Sequence, residues 1–332
     1  MDKGSVLITG GAGFIGIHLL KEMLDLYPDF HFLNVDCLTP ISNTLELVEL
    51  DGYPNYTFHQ LDICSYQQMS NLFKEHELFG IIHLAAETHV DSSISKPKKF
   101  VRTNVLGTLN LLELARIHCI NKPWFGKFYQ ISTDEVFGHL DESGSFKEED
   151  PYAPRSPYAA SKASADHLVR AYHHTYGLPM VISHCTNNYG PFQHEEKFIP
   201  KIITNALKKE PIPIYGRGDN IRNWLFVEDH VDAIQLIYSS GLNGHTYNIS
   251  GKDELTNLEL ADRITDLVDK YTRQPKGTSR NLITFVPDRP GHDFRYSLER
   301  KKIWDHLRWK PFTKFEDGLK KTVYHYVEKF LL

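Results

Sequence analysis

The chain has 332 residues, of which 41% are hydrophobic and 24% charged. That is ordinary composition for a globular protein, and the length suits a large domain plus a smaller one. With 37 basic and 42 acidic residues the formal charge is −5, which recommends neither nucleic acid nor an anionic membrane as a partner.

In chain order, "SVLITG" is a short β-rich run and "FIGIHLLKEMLDLY" has apolar residues at helical spacing. "HFLNVD" and "YTFHQLD" read as strands, "QQMSNLFKEH" as a helix and "FGIIHLAA" as a strand. A long helix over about 98–118, the strand "KFYQIS", a second long helix over about 157–175 and the strand "PMVISHC" follow. Strands with continuous apolar runs that alternate with helices predict an α/β fold. Its core is a parallel, doubly wound sheet of Rossmann type, covered on both faces. After "NNYGP" the pattern changes to a helix over "KFIPKIITNALKK", a Pro-punctuated stretch and a basic, aromatic-rich tail. Residues 1–187 are therefore expected to form the larger unit, rejoined by about 223–245. Residues 188–332 are expected to form a smaller mixed α/β unit.

"TGGAGFIG" joins the first strand to the first helix and carries Gly10, Gly13 and Gly16, with Phe14 and Ile15 inside the turn. Glycines there permit a tight turn and close approach of backbone to a pyrophosphate, which the helix N-terminus then attracts. Asp36 ends the second strand twenty residues later. A carboxylate there suits both ribose hydroxyls of an adenosine and repels a 2′-phosphate, so NAD is the expected cofactor. Asp62, followed by Ile63 after the third strand, is a weaker candidate contact for the adenine.

The four cysteines form no CxxC pair and read as buried free thiols in a reducing compartment. The eighteen histidines form no zinc pattern, and no metal is expected. No charged-then-apolar leader and no long apolar run appear, which makes the cytoplasm the expected location.

Tyr158 and Lys162 stand four apart on the second long helix and share a face. A phenol with a pKa of about 10 is a poor base near neutrality, and a nearby ammonium would lower it. The pair suits proton removal from an alcohol being oxidised. Upstream, "QISTDEVFGHL" puts Asp134 and Glu135 side by side where a strand runs out. Adjacent carboxylates repel, and the repulsion keeps one of them protonated, giving an acid and a base together. An isolated Asp–Glu would more often be a solvated turn or a helix cap.

The glycine loop with Tyr158-x-x-x-Lys162 resembles the extended short-chain dehydrogenase/reductase family. "LAAETHVDSSI", "STDEVFG", "NNYGP", "PIPIYGRGDNIRNWLFVEDH" and "RPGHDFRY" further resemble its dTDP-glucose 4,6-dehydratases, over nearly the whole chain. Cys37 and Gln193-His194-Glu195 depart from the usual residues at their positions. The resemblance implies oxidation at C4 of a nucleoside-diphosphate glucose, loss of water across C5–C6 and reduction at C6. Tyr158 would be the base at C4, with Thr133 bonding the C4 oxygen, Glu135 the base at C5 and Asp134 the acid at C6. It also implies sugar-nucleotide contacts from Thr88, Asn187, Glu196, Lys197, Pro213, Tyr215, Arg222, Asn257, Arg289 and Tyr296. A homodimer built from the two long helices is implied as well. The same reaction on UDP-glucose or another nucleoside-diphosphate hexose, a sugar-nucleotide epimerase or decarboxylase of the same family, and a non-catalytic NAD-binding sensor remain open alternatives.

Overall fold

The computed structural model describes residues 4–331. It begins with β1 Ser5–Thr9, α1 Phe14–Leu26, β2 His31–Asp36, α2 Thr44–Leu50, β3 Tyr56–Gln60, α3 Tyr66–Glu75 and β4 Leu78–His83. Two short helices, α4 Val90–Ser95 and α5 Pro97–Phe100, lead through a π-helical turn at Val101–Gly107 into α6 Thr108–His118. Next come β5 Phe128–Thr133, a tight helical turn at Asp134–Phe137, α7 Pro157–Tyr176 and β6 Met180–Cys185. The rest of the chain carries β7 Asn187–Tyr189, α8 Phe198–Lys208, β8 Ile212–Tyr215, β9 Ile221–Phe226, α9 Val227–Ser240 and β10 His245–Ile249. It ends with β11 Asp253–Thr256, α10 Asn257–Tyr271, β12 Ile283–Val286, α11 Lys301–Leu307 and α12 Phe315–Leu331.

Seven strands pair in parallel in the order β10-β6-β5-β4-β1-β2-β3. Side chains alternate across this sheet, as the two-residue period of a strand requires. On β1, Val6 and Ile8 join a cluster with Ile17, Leu20 and Ile234 on one face. Leu7 points the other way and packs with Leu111, Leu114 and Ile182. Burial of each such side chain contributes roughly 1.5–3 kcal/mol, and both faces need covering helices. The strand order reverses between β1 and β4, so the crevice at the carboxyl ends of these strands is where this architecture takes ligands.

The chain returns to this sheet late. β9 lies in a separate three-stranded sheet, β11-β9-β7, whereas α9 packs on α1 and β10 pairs with β6. Ile303 and Trp309 also join the cluster around Val6. A third core gathers Ile199, Ile203, Leu260, Ile264, Leu319 and Val323 from α8, α10 and α12.

The sequence predicts one continuous α-helix over 98–118, but its middle widens into the π turn. Asn104 in that turn is buried, and its side chain reaches out of the helix on three bonds. Its carbonyl accepts from Glu87 N (2.8 Å), and its amide donates to Glu87 O (3.0 Å) and Ser161 Oγ (2.8 Å). Such turns recur where a helix serves a site. α7 keeps its expected limits. Ser156 caps it, accepting from Ala159 N (3.1 Å), Pro157 opens it, and Gly177 closes it in the left-handed region at φ 73°.

The glycine turn between β1 and α1 is closely packed. A Cβ on Gly16 would lie 2.3 Å from Gly10 O, and the obstacle is backbone, not a flexible side chain. Gly16→Ala should therefore destabilise the protein by about 1–3 kcal/mol. Equilibrium denaturation checks this; an unchanged midpoint would show that the turn can yield.

Candidate active site

The crevice beyond β1, β4 and β5 encloses about 450 Å³ and is lined by residues from both halves of the chain. Gly10 sits at φ 78°, and a Cβ there would meet Ala85 N at 2.6 Å. Only glycine fits that position without strain. The first turn of α1 therefore opens straight into the crevice, with N–H groups that have no acceptor within the helix. Gly13, Phe14, Ile15 and Gly16 line the same wall. Asp36 stands opposite, its carboxylate fixed by Ala12 N (3.1 Å) and Leu38 N (2.9 Å). Burial raises its pKa, and these two bonds act against the rise. Asp62 and Ile63 line the crevice as well, but Asp62 is tied to Arg102 (3.2 Å) and Cys64 N (2.8 Å).

The acid pair begins the helical turn that follows β5. Thr133 caps that turn, accepting from Glu135 N (3.3 Å) and donating to Asp134 Oδ1 (3.2 Å). The bland reading, a capped turn, is thus correct as local structure, yet it does not describe the surroundings. Asp134 is only 3% exposed, and its Oδ2 has no hydrogen-bond partner. Burial, then the charge of Glu135, push its carboxyl up to about 8, while Arg222 opposes them. The sequence predicts repulsion as the cause; desolvation is the larger one. Glu135 is only partly buried and is also raised, first by burial. Arg289, Arg222 and Lys197 all act to keep it ionised. The corner therefore holds one carboxyl protonated at neutral pH beside a second whose ionised form is favoured by three cations and opposed by burial.

Tyr158 and Lys162 are both buried on α7 and line the same crevice. Here the structure reverses the sign expected from sequence. Burial, then Glu135, raise the phenol well above its usual range, and only Thr133 acts noticeably the other way. The Lys162 ammonium donates to Ile131 O (2.7 Å), and its charge is not among the main influences on the phenol.

The remaining candidates fall into two groups. Thr88, Asn187 and Lys197 line the crevice. Lys197 Nζ donates to Thr88 O (2.9 Å) and Thr88 Oγ1 (3.3 Å), while Asn187 Oδ1 is buried without a partner. Arg222, Arg289, Tyr296, Glu196, Asn257, Pro213 and Tyr215 do not line the crevice. Arg222 on β9 donates to the carbonyls of Ile221 (2.7 Å), Asp293 (2.9 Å) and Phe294 (3.0 Å), and its guanidinium lies 4.5 Å from the Tyr296 ring centre. Tyr296 donates to Asp293 Oδ2 (2.5 Å). Arg289 (3.5 Å) and the Tyr215 hydroxyl (3.2 Å) both reach Asp91. Glu196 lies 4.0 Å from His89, Pro213 is on β8, and Asn257 opens α10 with its N–H on Asn220 O (3.0 Å).

A family model described as GDP-mannose 4,6 dehydratase matches residues 7–322. The chain belongs to this family. Among its relatives, the dTDP-glucose 4,6-dehydratase of Haemophilus influenzae is 46% identical over 97% of this chain and 98% of its own. The crystal structure of the dTDP-glucose 4,6-dehydratase DesIV from Streptomyces venezuelae, with NAD bound, superposes with a TM-score of 0.89. It is 41% identical and covers 98% of this chain and 97% of its own. The dTDP-glucose 4,6-dehydratase of Bacillus anthracis, in complex with NAD, gives a TM-score of 0.85 at 39% identity, covering 98% and 96%.

Several residues that contact the candidates carry no signal of their own in the sequence. Asp91 joins Tyr215 to Arg289, Arg102 pairs with Asp62, and His292 bonds Asp288 (2.7 Å). The first sits inside the quoted "LAAETHVDSSI" and the last inside "RPGHDFRY", so motif membership is the only cue. The cysteines need a correction too. All four are free, and Cys119 and Cys185 are buried, but Cys37 is exposed and lines the crevice mouth, while Cys64 is only partly covered. Among the described residues no helix is long and apolar enough to cross a membrane.

The raised Asp134 carboxyl has a consequence for stability. The folded state holds its proton up to about pH 8, whereas an unfolded aspartate releases it near pH 4. Its contribution is present below the unfolded value and is lost as pH rises through the folded one. Asp134→Asn removes that loss. The variant should gain on the parent as pH climbs from about 5 to 8, by on the order of a few kcal/mol, and then run level. Thermal melts across this range check it; parallel pH profiles would mean that Asp134 is ionised when folded.

Proposed function

We propose that this protein carries out NAD-dependent dehydration of a nucleoside-diphosphate glucose, dTDP-glucose before others, giving the 4-keto-6-deoxy sugar nucleotide. One observation carries the reading: a carboxyl held protonated near neutrality adjoins a second carboxyl faced by cations, and both share a crevice with Tyr158 and Lys162. The named relatives, dTDP-glucose 4,6-dehydratases over the full length, support the choice of reaction and of base.

The residues fit the cofactor. Gly10 and Gly16 leave no room for a Cβ, the α1 N-terminus meets a pyrophosphate, and Asp36 holds lone pairs free for the ribose hydroxyls. NAD held there supplies a hydride acceptor at C4 and a hydride donor at C6. In this reading residues 1–187, with α9 and β10, carry the cofactor, and most of 188–332 carry the sugar nucleotide.

Tyr158 takes the proton of the C4 hydroxyl while Thr133 bonds the C4 oxygen. The resulting ketone makes the C5 proton acidic, and Glu135 removes it. Asp134 gives its proton to the C6 oxygen, which leaves as water. A proton returns to C5 when C6 is reduced. Arg222 and Arg289 bring guanidinium groups to the diphosphate, with Lys197 and Asn187 nearer the sugar. Arg222 arrives already oriented, since three carbonyls hold it in place.

The same fold and tyrosine would serve an epimerase, but an epimerase leaves the C6 oxygen in place, so it has no leaving group to protonate and gives no role to a buried neutral carboxyl. Three variants separate the steps. Tyr158→Phe should form no bound NADH on mixing with dTDP-glucose. Asp134→Asn should form bound NADH and exchange C5 hydrogen in heavy water, yet lose water roughly 10²–10⁴-fold more slowly. Glu135→Gln should form bound NADH but exchange little at C5. Rapid quench with mass analysis of the sugar reads all three, and normal dehydration by both acid variants would sink the assignment.

The reading also includes a homodimer built on α7 and the segment 97–118, where Val101, Leu106, Ile117 and Tyr176 stand exposed. Their apolar faces are what a four-helix contact between copies would cover. Sedimentation at micromolar concentration should give two chains, and an active monomer would refute it.

A further inference from the structure

The face of α7 that carries Tyr158 and Lys162 continues for one more turn. Asp166 is the next residue in the four-residue series, and it is 0% exposed. Nothing in the chemistry above uses it. A carboxylate buried that deeply is costly unless it is compensated, and unusual ones cluster where a site needs them.

Asp166 is compensated at one oxygen, Oδ2, by groups from several elements. From β5, Ser132 donates to Oδ2 (2.6 Å). From the loop before α7, the Tyr152 hydroxyl reaches the same oxygen (3.1 Å). From β6, His184 Nε2 lies 3.5 Å away. One turn further along α7, Arg170 donates to the Tyr152 hydroxyl (2.8 Å). From β10, Asn248 accepts from His184 Nδ1 (3.1 Å), and its own N–H donates to Glu148 (2.9 Å). These contacts outweigh burial, so Asp166 stays ionised, with a pKa below its ordinary value. Its other oxygen, Oδ1, is buried with no hydrogen-bond partner. Lys162 is the mirror case. Among the described residues it forms no ion pair with a carboxylate, and its ammonium has one neutral carbonyl, Ile131 O, at 2.7 Å. Burial pulls its pKa down, and the charge of Asp166 is the first influence that pulls it up; Cys185 is the other.

We propose that Asp166 is a positioning residue for the oxidation step: its buried carboxylate keeps Lys162 cationic, and Lys162 in turn sustains proton removal by Tyr158. Ser132, Tyr152 and His184 hold that carboxylate in its charged form, one helical turn behind the ammonium it serves. The proposal rests on the reading of Tyr158 and Lys162 given above.

The sign follows directly. Without the Asp166 charge, burial acts on Lys162 unopposed, and the ammonium loses its proton at lower pH. Activity that needs the cation is then lost earlier as pH rises, while the acid limb, set where Lys162 is charged in either case, stays put. The experiment is the pH dependence of bound-NADH formation on mixing enzyme and dTDP-glucose, read by absorbance in single turnover. In Asp166→Asn the alkaline limb should move down by about one pH unit or more. Asp166→Glu, which keeps the charge, should hold the limb at its native place even where the overall rate falls. The limb position does not depend on how much enzyme is folded, and Asp166→Ser gives the same reading from a smaller side chain. A uniform loss of rate at every pH in the Asn and Ser variants, with the limb unmoved, overturns the proposal and leaves Asp166 a purely structural group. Failure of the underlying reading is separate: it would appear as normal bound-NADH formation in Tyr158→Phe.

Discussion

Removing the Asp134 carboxyl from water is the constraint around which this molecule is arranged. An aspartate that is 3% exposed at the end of a parallel strand cannot ionise cheaply, and the adjacent Glu135 makes ionisation harder still. The fold leaves the cost in place. Arg222 opposes the rise without cancelling it, so the carboxyl stays protonated near neutrality. Glu135, one residue on and less covered, receives the influence of three cations. Two chemically similar groups separated by one peptide bond thus meet different balances of burial and charge.

Those surroundings come from both parts of the chain. The seven-stranded sheet supplies the glycine turn, the acid pair and α7. The cations come from the residue that precedes α8, from β9 and from the segment near residue 289. The two contributions are joined by backbone rather than by side chains alone. Leu140, shortly after the acid pair, donates its N–H to Arg295 O (3.1 Å), and Ile221 on β9 donates to Phe294 O (2.8 Å).

Much of this was legible in the sequence, for reasons of local physics. Apolar runs with a period of two or none give parallel strands, and Ser156-Pro157 with Gly177 fixes the ends of α7. The glycine turn is recognisable because backbone sterics permit nothing else. What was not legible depends on long-range packing. The wide turn at Val101–Gly107 arises because Asn104 bonds Glu87 and Ser161, which are distant in sequence. The sign of the Tyr158 shift depends first on burial and then on Glu135, neither of which i,i+4 spacing with Lys162 can show. Lys197 meeting Thr88 across 109 positions could not be read at all. Cys37 follows the buried end of β2, yet its own side chain turns outward.

The hold on Arg222 bears on how the chain matures as it is made. Six strands of the large sheet and α7 lie before residue 186, so a nascent chain of that length already contains the glycine turn, the acid pair and Tyr158. It contains none of the cations. Arg222 comes later, and two of the three carbonyls that orient it, Asp293 and Phe294, come later still. Arg289 arrives with them. The acids are therefore in place long before the charges that tell them apart, and an incomplete chain on the ribosome has the parts of the corner without its polarity. Chemical competence is acquired in the last tenth or so of synthesis, well after the large sheet can begin to fold as a unit.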